Sequence, residues 1–208
     1  MLYENAITPA ALELLKQLSS CKELDEFGLG GGTSIALRIG HRISIDLDFF
    51  INKEFDTARL FDFITKKFPS AELLFEKNQT LLFIVNDIKT DFVLYPFPWL
   101  HPFEVTNGIK LVSIYDIIPM KLQAVSIRNA KKDYWDISAL LQQFTLQEML
   151  TIFKNKFPQI DTGFIVHSLT DFEKADTERD PDKLTNITWE DIKSELNNKV
   201  RQFTEESL

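Results

Sequence analysis

The 208-residue sequence predicts an α+β fold, in which a mixed β-sheet domain with flanking helices is followed by an all-helical C-terminal domain. Up to residue 112, runs with the period of two that is typical of strands are interleaved with short helical patterns. From Ser113 onwards, apolar residues recur at helical spacing instead. Pro96, Pro98 and Pro102 interrupt regular structure close to this change. We therefore expect two domains, residues 1–112 and residues 113–208.

The N-terminal domain is predicted to begin with a helix at Thr8-Pro9, because a capping hydroxyl precedes a proline at the first helical position. Asn86 and Asp87 indicate a tight turn between two apolar runs, which predicts a hairpin. The further predicted elements are helices over residues 33–38 and 56–68 and strands over residues 27–29, 42–50, 72–76, 80–85, 88–95 and 108–112.

The C-terminal domain contains repeated helix-start signals, in which a hydroxyl precedes a carboxylate at the spacing of a capping box. They are Ser113 with Asp116, Thr145 with Glu148, and Thr188 with Asp191. The predicted helices cover residues 121–128, where Pro119 constrains the start, 133–144, a run opening at 145, 162–172, and a run from 188 towards the C-terminus. Residues 176–186 are polar, contain Pro181 and are predicted to form a loop.

The net charge of −8 argues against a broad, sequence-independent grip on nucleic acid, which needs many cationic contacts. A local basic patch remains compatible with this charge. Arg128, Lys131 and Lys132 could form one, although a solvated helix end explains the same residues. Cys21 is the single cysteine of the sequence, which excludes a disulfide within the chain and a cysteine-based zinc site.

The N-terminus lacks the basic and apolar regions of a signal peptide. No apolar run reaches the ~18 residues that a membrane span needs. We therefore expect a cytoplasmic protein with no membrane partner.

Asp46 and Asp48 are the first candidate functional residues. Because side chains alternate along a strand, the predicted strand over residues 42–50 places both carboxylates on one side. Paired hard oxygen ligands suit Mg²⁺, which takes one or two carboxylates together with substrate phosphate oxygens. An exposed strand face with ordinary surface charges would show the same spacing.

The glycine run before Thr33 and Ser34 is the second candidate. Gly31 and Gly32 open onto the predicted helix over residues 33–38, and a helix N-terminus can bind phosphate through its free N–H groups. The run lacks the Gly-Lys-Ser/Thr of a P-loop and the third glycine of a dinucleotide-binding turn. A tight strand-to-helix turn explains the glycines equally well.

Asp91 lies in the second strand of the predicted hairpin. If that strand neighbours the strand of Asp46 and Asp48, Asp91 reaches the same region, either as a further metal ligand or as a base. A polar residue at a strand edge is the alternative.

The segment Gly-Gly-Thr-Ser-Ile-Ala-Leu-Arg-Ile-Gly-His-Arg-Ile-Ser-Ile-Asp-Leu-Asp-Phe-Phe, residues 31–50, resembles the first motif of the AbiEii-type nucleotidyltransferase toxins. These belong to the DNA polymerase β-like nucleotidyltransferase superfamily. Residues 89–93, 119–128 and 171–191 are similar to later motifs of the family. Residues 132–137 are similar to a further one, with Lys132 in place of the usual arginine.

The resemblance implies a nucleotidyltransferase core and a helical C-terminal domain. It implies an NTP-dependent enzyme that uses Mg²⁺. The implied nucleotide-binding residues are Gly31, Gly32, Thr33, Ser34 and Lys121. The implied metal ligands are Asp46, Asp48 and Asp91. The implied catalytic residues are Asp46, Asp48, Asp91, Lys121, Asp133 and Asp136, with Asp133 or Asp136 orienting Lys121 or taking part in the site.

The resemblance also implies the toxin of a type IV toxin–antitoxin system, with a cognate antitoxin. The acceptor would be tRNA, another RNA or a protein hydroxyl. Two alternatives remain at this point: a catalytically silent relative that binds a nucleotide or a partner, and a metal-dependent nuclease. A nuclease would leave the glycine run without a purpose.

Overall fold

The computed structural model describes residues 1–206, which form parts of two compact units, Met1–Ser113 and a second that begins at Ile114. In the N-terminal unit, three α-helices accompany a sheet that has seven strands within the described residues. The helices are α1 (Pro9–Ser19), α2 (Gly31–Ile39) and α3 (Thr57–Lys67). The strands are β1 (Gly28–Leu29), β2 (Leu47–Ile51), β3 (Glu72–Glu76), β4 (Thr80–Val85), β5 (Ile88–Leu94), β6 (Glu104–Thr106) and β7 (Ile109–Leu111).

The sheet is mixed, with the strand order β3-β4-β5-β2-β1-β7-β6. β2 runs parallel to β5, and β1 runs parallel to β7. The other neighbours are antiparallel. The two central parallel strands, β2 and β5, carry Asp48 and Asp91, and Asp46 immediately precedes β2.

One face of the sheet packs into the hydrophobic core. Leu47, Phe49 and Phe92 from β2 and β5 are buried there together with apolar side chains of α1 and α3. Phe49 and Phe92 stack with ring centroids 5.4 Å apart. Because the pleat alternates, Asp48 and Asp91 project from the opposite face.

The C-terminal unit is helical throughout its described residues. Its helices are α4 (Ile114–Arg128), α5 (Lys131–Leu141), α6 (Leu146–Lys156), α7 (Thr162–Ser168), α8 (Glu173–Asp176) and α9 (Trp189–Glu206). Tyr134 and Trp135 are among the largest fully buried side chains, and Trp135 stacks on Trp189. An ion pair between Asp116 and Lys156 joins the start of α4 to the end of α6, and both side chains are buried.

Local sequence signals located several elements correctly. Thr8 caps α1, and Thr145 with Glu148 forms a complete capping box at α6. Thr188 and Asp191 bond reciprocally at the start of α9, at 2.9 and 3.2 Å. These signals work because the groups that satisfy a helix terminus are close in sequence.

The predicted strand over residues 42–50 is too long, since β2 begins only at Leu47. Ser44 instead makes an isolated bridge with Ile7, and its N–H donates to the Ala6 carbonyl at 2.8 Å. Ile45, which alternates in sequence with the buried Leu47 and Phe49, is 59% exposed. A tertiary contact with the N-terminal segment therefore overrides the alternating pattern.

Other boundaries also differ from the sequence predictions. β6 was not predicted, although Asn107 and Gly108 have the positive φ values, 52° and 77°, of a tight turn between β6 and β7. The helix predicted over 121–128 begins at Ile114, and the one over 162–172 ends at Ser168. A short helix, Glu173–Asp176, follows before the polar loop.

Candidate active site

The glycine turn lies directly against Asp48. The N–H of Gly30 donates to the carbonyl oxygen of Asp48 at 2.8 Å. Gly31 has φ +61°, in the left-handed region, and a Cβ at this position would lie 2.2 Å from Oδ2 of Asp48. Glycine is therefore required here both by the backbone conformation and by the approach of the carboxylate. Helix α2 begins at this residue.

The resemblance implies that Thr33 and Ser34 bind the nucleotide, and their side chains bond within the protein. Both residues are buried. The Thr33 hydroxyl lies 2.8 Å from the Ser44 hydroxyl and donates to the carbonyl oxygen of Asp46. The Ser34 hydroxyl accepts from the Arg38 guanidinium. These hydroxyls thus hold the turn in place, and the half-buried Gly31 and Gly32 offer the accessible backbone.

Parallel pairing brings two of the carboxylates together. Asp48 of β2 and Asp91 of β5 are direct Cα partners in the ladder. Asp46 precedes β2 immediately, two positions before Asp48, and is half-buried like Asp48. Asp91 is more deeply placed, with 10% of its side chain exposed.

Lys89 lies among these carboxylates. Its ammonium forms an ion pair with Oδ2 of Asp91, while 40% of its side chain remains exposed. Burial by itself lowers the pKa of Lys89, but the hydrogen bond and charge of Asp91, together with the charges of Asp48 and Asp46, raise it above its ordinary value. Lys89 therefore interacts with the whole carboxylate group.

Asp91 has an environment that disfavours its charged form. Burial raises its pKa, the neighbouring charge of Asp46 adds to this, and Lys89 opposes both. Its second oxygen, Oδ1, is buried and has no hydrogen-bond partner in the described part of the chain. A buried carboxylate oxygen left in this way is suited to a ligand that arrives from outside the chain.

The carboxylates of this region offer a limited set of ligands to a divalent metal ion. Within residues 1–206, no three His, Cys, Asp or Glu side chains converge into a group that could hold a metal by themselves. Asp46, Asp48 and Asp91 share one region without forming such a group. They fit an ion that takes one or two carboxylates and completes its coordination with water and phosphate oxygens, as Mg²⁺ does.

The C-terminal unit holds a second polar cluster. The ammonium of Lys121 lies 3.0 Å from Oδ1 of Asp133 and 2.8 Å from Oδ2 of Asp136. Arg128 adds two bonds to Asp133, at 2.6 and 2.7 Å. Asp133 and Asp136 are fully buried, and Lys121 is 4% exposed.

These contacts favour the ionised form of Asp133. Burial alone would raise the pKa of Asp133, but Lys121 and Arg128 lower it below its ordinary value. The resemblance implied that Asp133 or Asp136 orients Lys121, and both carboxylates contact it. The cluster is a set of charges that satisfy one another.

The basic trio at the α4–α5 junction is not a free cationic patch. Arg128 is engaged with Asp133, and Lys131 is buried, 3.1 Å from Asp180 and over the ring of Trp189. Lys132 is exposed.

Residues 13–205 match the family model described as nucleotidyl transferase AbiEii toxin, type IV TA system. The chain belongs to this family. An uncharacterized protein of Aquifex aeolicus (strain VF5) is 34% identical over 201 residues, which cover 94% of this chain and 95% of the relative.

Solved structures show the same fold at lower identity. A candidate nucleotidyltransferase of H. pylori aligns with a TM-score of 0.62 at 18% identity and covers 96% of both chains. JHP933 of Helicobacter pylori aligns with a TM-score of 0.57 at 19% identity, over 96% of this chain and 94% of the other.

AbiEii membership confirms the family and the nucleotidyltransferase class of enzyme that the sequence predicted, and the structures confirm the α+β nucleotidyltransferase-like fold. Nucleotidyltransferases generally use a divalent metal ion, and the family implies an NTP substrate and an antitoxin partner. No helix among residues 1–206 is long and apolar enough to cross a membrane.

The residues predicted from the sequence do not include Lys89, which forms an ion pair with Asp91. A signal was present, because Lys89 precedes Asp91 by two residues and so shares its side of the strand. The inward direction of Thr33 had no such signal. Its partners, Ser44 and Asp46, become neighbours only when α2 folds against the segment that leads into β2.

Proposed function

We propose that this protein transfers a nucleotide from an NTP to an acceptor, with Mg²⁺ held by Asp46 and Asp48. One observation carries the proposal: the glycine turn at the start of α2 lies in contact distance of the Asp48 carboxylate. Phosphate-binding backbone and metal-binding carboxylate are thereby adjacent, which is what a metal–nucleotide complex requires.

The chain's own groups divide the work. The N–H groups of Gly31 and Gly32, at the positive end of α2, bind and orient the triphosphate. Asp46 and Asp48 hold the metal on the same side. When bound, Mg²⁺ would neutralise phosphate charge and support the leaving pyrophosphate. The buried hydroxyls of Thr33 and Ser34 keep the turn in position.

Asp91 has two proposed roles, as a further metal ligand and as the base that removes a proton from the attacking hydroxyl. Its raised pKa suits a base, and its buried Oδ1 suits a ligand. A role of Oδ2 in either function requires that it be released from Lys89.

We assign Lys121, Asp133 and Asp136 first to the stability of the C-terminal unit. The network pairs each of these charges inside that unit. A contact of Lys121 with phosphate, as the resemblance implies, would weaken at least one of two short carboxylate bonds. That role remains a prediction.

For the acceptor, we propose tRNA, another RNA or a protein hydroxyl, and for the biological role a toxin that is opposed by a cognate antitoxin. Family membership supports the toxin and antitoxin roles. The net charge of −8 implies that an RNA acceptor would be held by few contacts, and with a modest salt dependence.

The function is tested by incubating purified protein with Mg²⁺, each NTP labelled at the α-phosphate, and either total tRNA or a protein fraction. Transfer of label supports the proposal, and Asp48→Ala should abolish it. Asp62→Ala is the matched control, because Asp62 is an exposed carboxylate of α3. Shortened RNA without label would indicate a nuclease instead, and unchanged substrates would indicate a silent binding protein.

A further inference from the structure

Lys89 lies on the carboxylate face of the N-terminal unit, by which we mean the region of Asp46, Asp48 and Asp91. It comes from β5, two positions before Asp91, and the register pairs the intervening Thr90 with Leu47, so that Lys89 lies level with the approach to β2 that carries Asp46. Its ammonium bonds to Oδ2 of Asp91.

The two side chains of this ion pair differ in how freely they can move. The Asp91 side chain is 10% exposed and fixed by its strand, whereas the Lys89 side chain is 40% exposed. A long lysine side chain with that exposure can swing into solvent without disturbing the core. The pair can therefore open by movement of Lys89 alone.

Charge explains why a cation is held there. Asp46, Asp48 and Asp91 carry three formal negative charges in one region, and like charges at close range destabilise one another. Lys89 compensates the charge of Asp91. A divalent ion that binds the same carboxylates would supply the compensation itself and would repel the ammonium.

We propose that Lys89 is the resting counter-ion of the carboxylate group and that a divalent metal ion displaces it from Asp91, which then becomes a metal ligand. This rests on the proposed function only in assuming that the carboxylates bind a metal. Lys89 in this view is a positioning residue that holds Asp91 in place until the metal–nucleotide complex arrives.

The test measures metal binding without nucleotide. Mn²⁺, as a stand-in for Mg²⁺, is titrated into the full-length protein while the EPR signal of the free ion is followed. Lys89→Gln should bind Mn²⁺ about three to ten times more tightly than the unaltered protein, because a competing charge beside the ligands is gone. Lys89→Arg, which keeps the charge, should bind within about twofold of the unaltered protein.

Two further variants locate the effect. Lys53→Gln removes a lysine from an exposed ion pair with Glu26 in the same unit, so it repeats the charge change away from the carboxylates and should leave Mn²⁺ affinity unchanged. In the Lys89→Gln/Asp91→Asn double variant, the gain in affinity should disappear. Thermal unfolding without metal shows that each variant is folded, and added Mn²⁺ should raise the Tm of Lys89→Gln more than that of the unaltered protein.

Equal Mn²⁺ affinity in the unaltered protein and Lys89→Gln would overturn the inference, as would a gain that survives Asp91→Asn. Absence of Mn²⁺ binding in every variant would overturn the metal site and the inference together. The expected affinity differences without any nucleotide transfer would leave the inference standing and overturn the proposed function alone.

Discussion

Two regions of the molecule combine aspartates with basic side chains: the carboxylate face of the N-terminal unit and the second polar cluster of the C-terminal unit, here called the Lys121 cluster. They differ in burial and in how their charges are paired. On the carboxylate face, Asp91 has Lys89 as a half-exposed counter-ion, and an oxygen of Asp91 is buried without a partner in the described chain. In the Lys121 cluster, the aspartates are fully buried and bonded to two cations. The pKa of Asp91 is raised, and that of Asp133 is lowered.

This difference distinguishes a candidate ligand-binding site from a charge network that stabilises the fold. Carboxylates that repel one another cost stability, and they persist where an incoming cation is part of the function. A buried network whose charges are all paired needs nothing from outside, and its removal costs stability directly. Clustered aspartates and a lysine are therefore weak evidence of catalysis until their pairing is known.

The largest expected effect is on catalysis at the carboxylate face. Asp46→Asn or Asp48→Asn should reduce nucleotide transfer by at least about 10²–10³-fold, because a charged ligand of the metal is lost. The Tm should hold or rise slightly, since repulsion among the carboxylates is relieved. Label transfer and thermal unfolding measured on the same preparations check both parts. Near-normal transfer in either variant would remove these residues from the site.

Next is the cost of breaking the Lys121 cluster. Asp133→Ala leaves Lys121 and Arg128 short of a partner and should lower the free energy of unfolding by about 3–5 kcal/mol. Urea denaturation measures the loss. Asp182→Ala is the control, because its ion pair with Arg179 is long and largely exposed and should contribute almost nothing.

A double variant that removes both partners of one ion pair then distinguishes a stabilising role of this cluster from a catalytic one. Lys121→Met with Asp136→Leu replaces a buried charge pair by apolar side chains of similar size and should recover much of the stability that either single change loses. If the double variant is stable and active, Lys121 is a supporting residue. A stable variant without transfer would instead establish a direct role of Lys121 towards the nucleotide.

A smaller effect is expected at the glycine turn. Gly31→Ala should cost about 1–2 kcal/mol for the left-handed backbone, and the new methyl group must displace the Asp48 carboxylate. Gly108→Ala is a matched control, because its φ is +77° and nothing lies within 4 Å of the added Cβ. Both variants should lose similar stability from strain, but only Gly31→Ala should lose transfer. Equal transfer activity in the two variants would show that the glycine turn is not part of the active site.

The smallest expected effect is a pH dependence from Asp133. Its native pKa lies below its ordinary value of 3.8, so its ion pairs stabilise the protein above that pH and are lost as the pH falls through the native pKa. The stability gap between the unaltered protein and Asp133→Asn should therefore be full at pH 7 and shrink below about pH 4. Urea denaturation at pH 7 and pH 3 measures it, and a constant gap would contradict the assignment.

Much of the fold follows from signals that are local in the chain. The caps at Thr8, Thr145 and Thr188 and the turn at Asn86 and Asp87 each involve groups within a few residues of one another. Such signals locate helices and turns because the hydrogen bonds of a cap or a tight turn form between neighbouring residues and need no tertiary contact. The boundary of β2 escaped them, since Ser44 bonds to the N-terminal segment.

By itself, the sequence determined the α+β class, the glycine run, the Asp46–Asp48 spacing and the resemblance that family membership confirmed. Only the tertiary structure decided that Asp91 stands opposite Asp48, that Thr33 and Ser34 turn inward, and that Lys89 lies among the carboxylates. The physical reason is that parallel pairing of β2 with β5 joins segments distant in sequence. Its register depends on the packing of the whole sheet, which no local pattern contains.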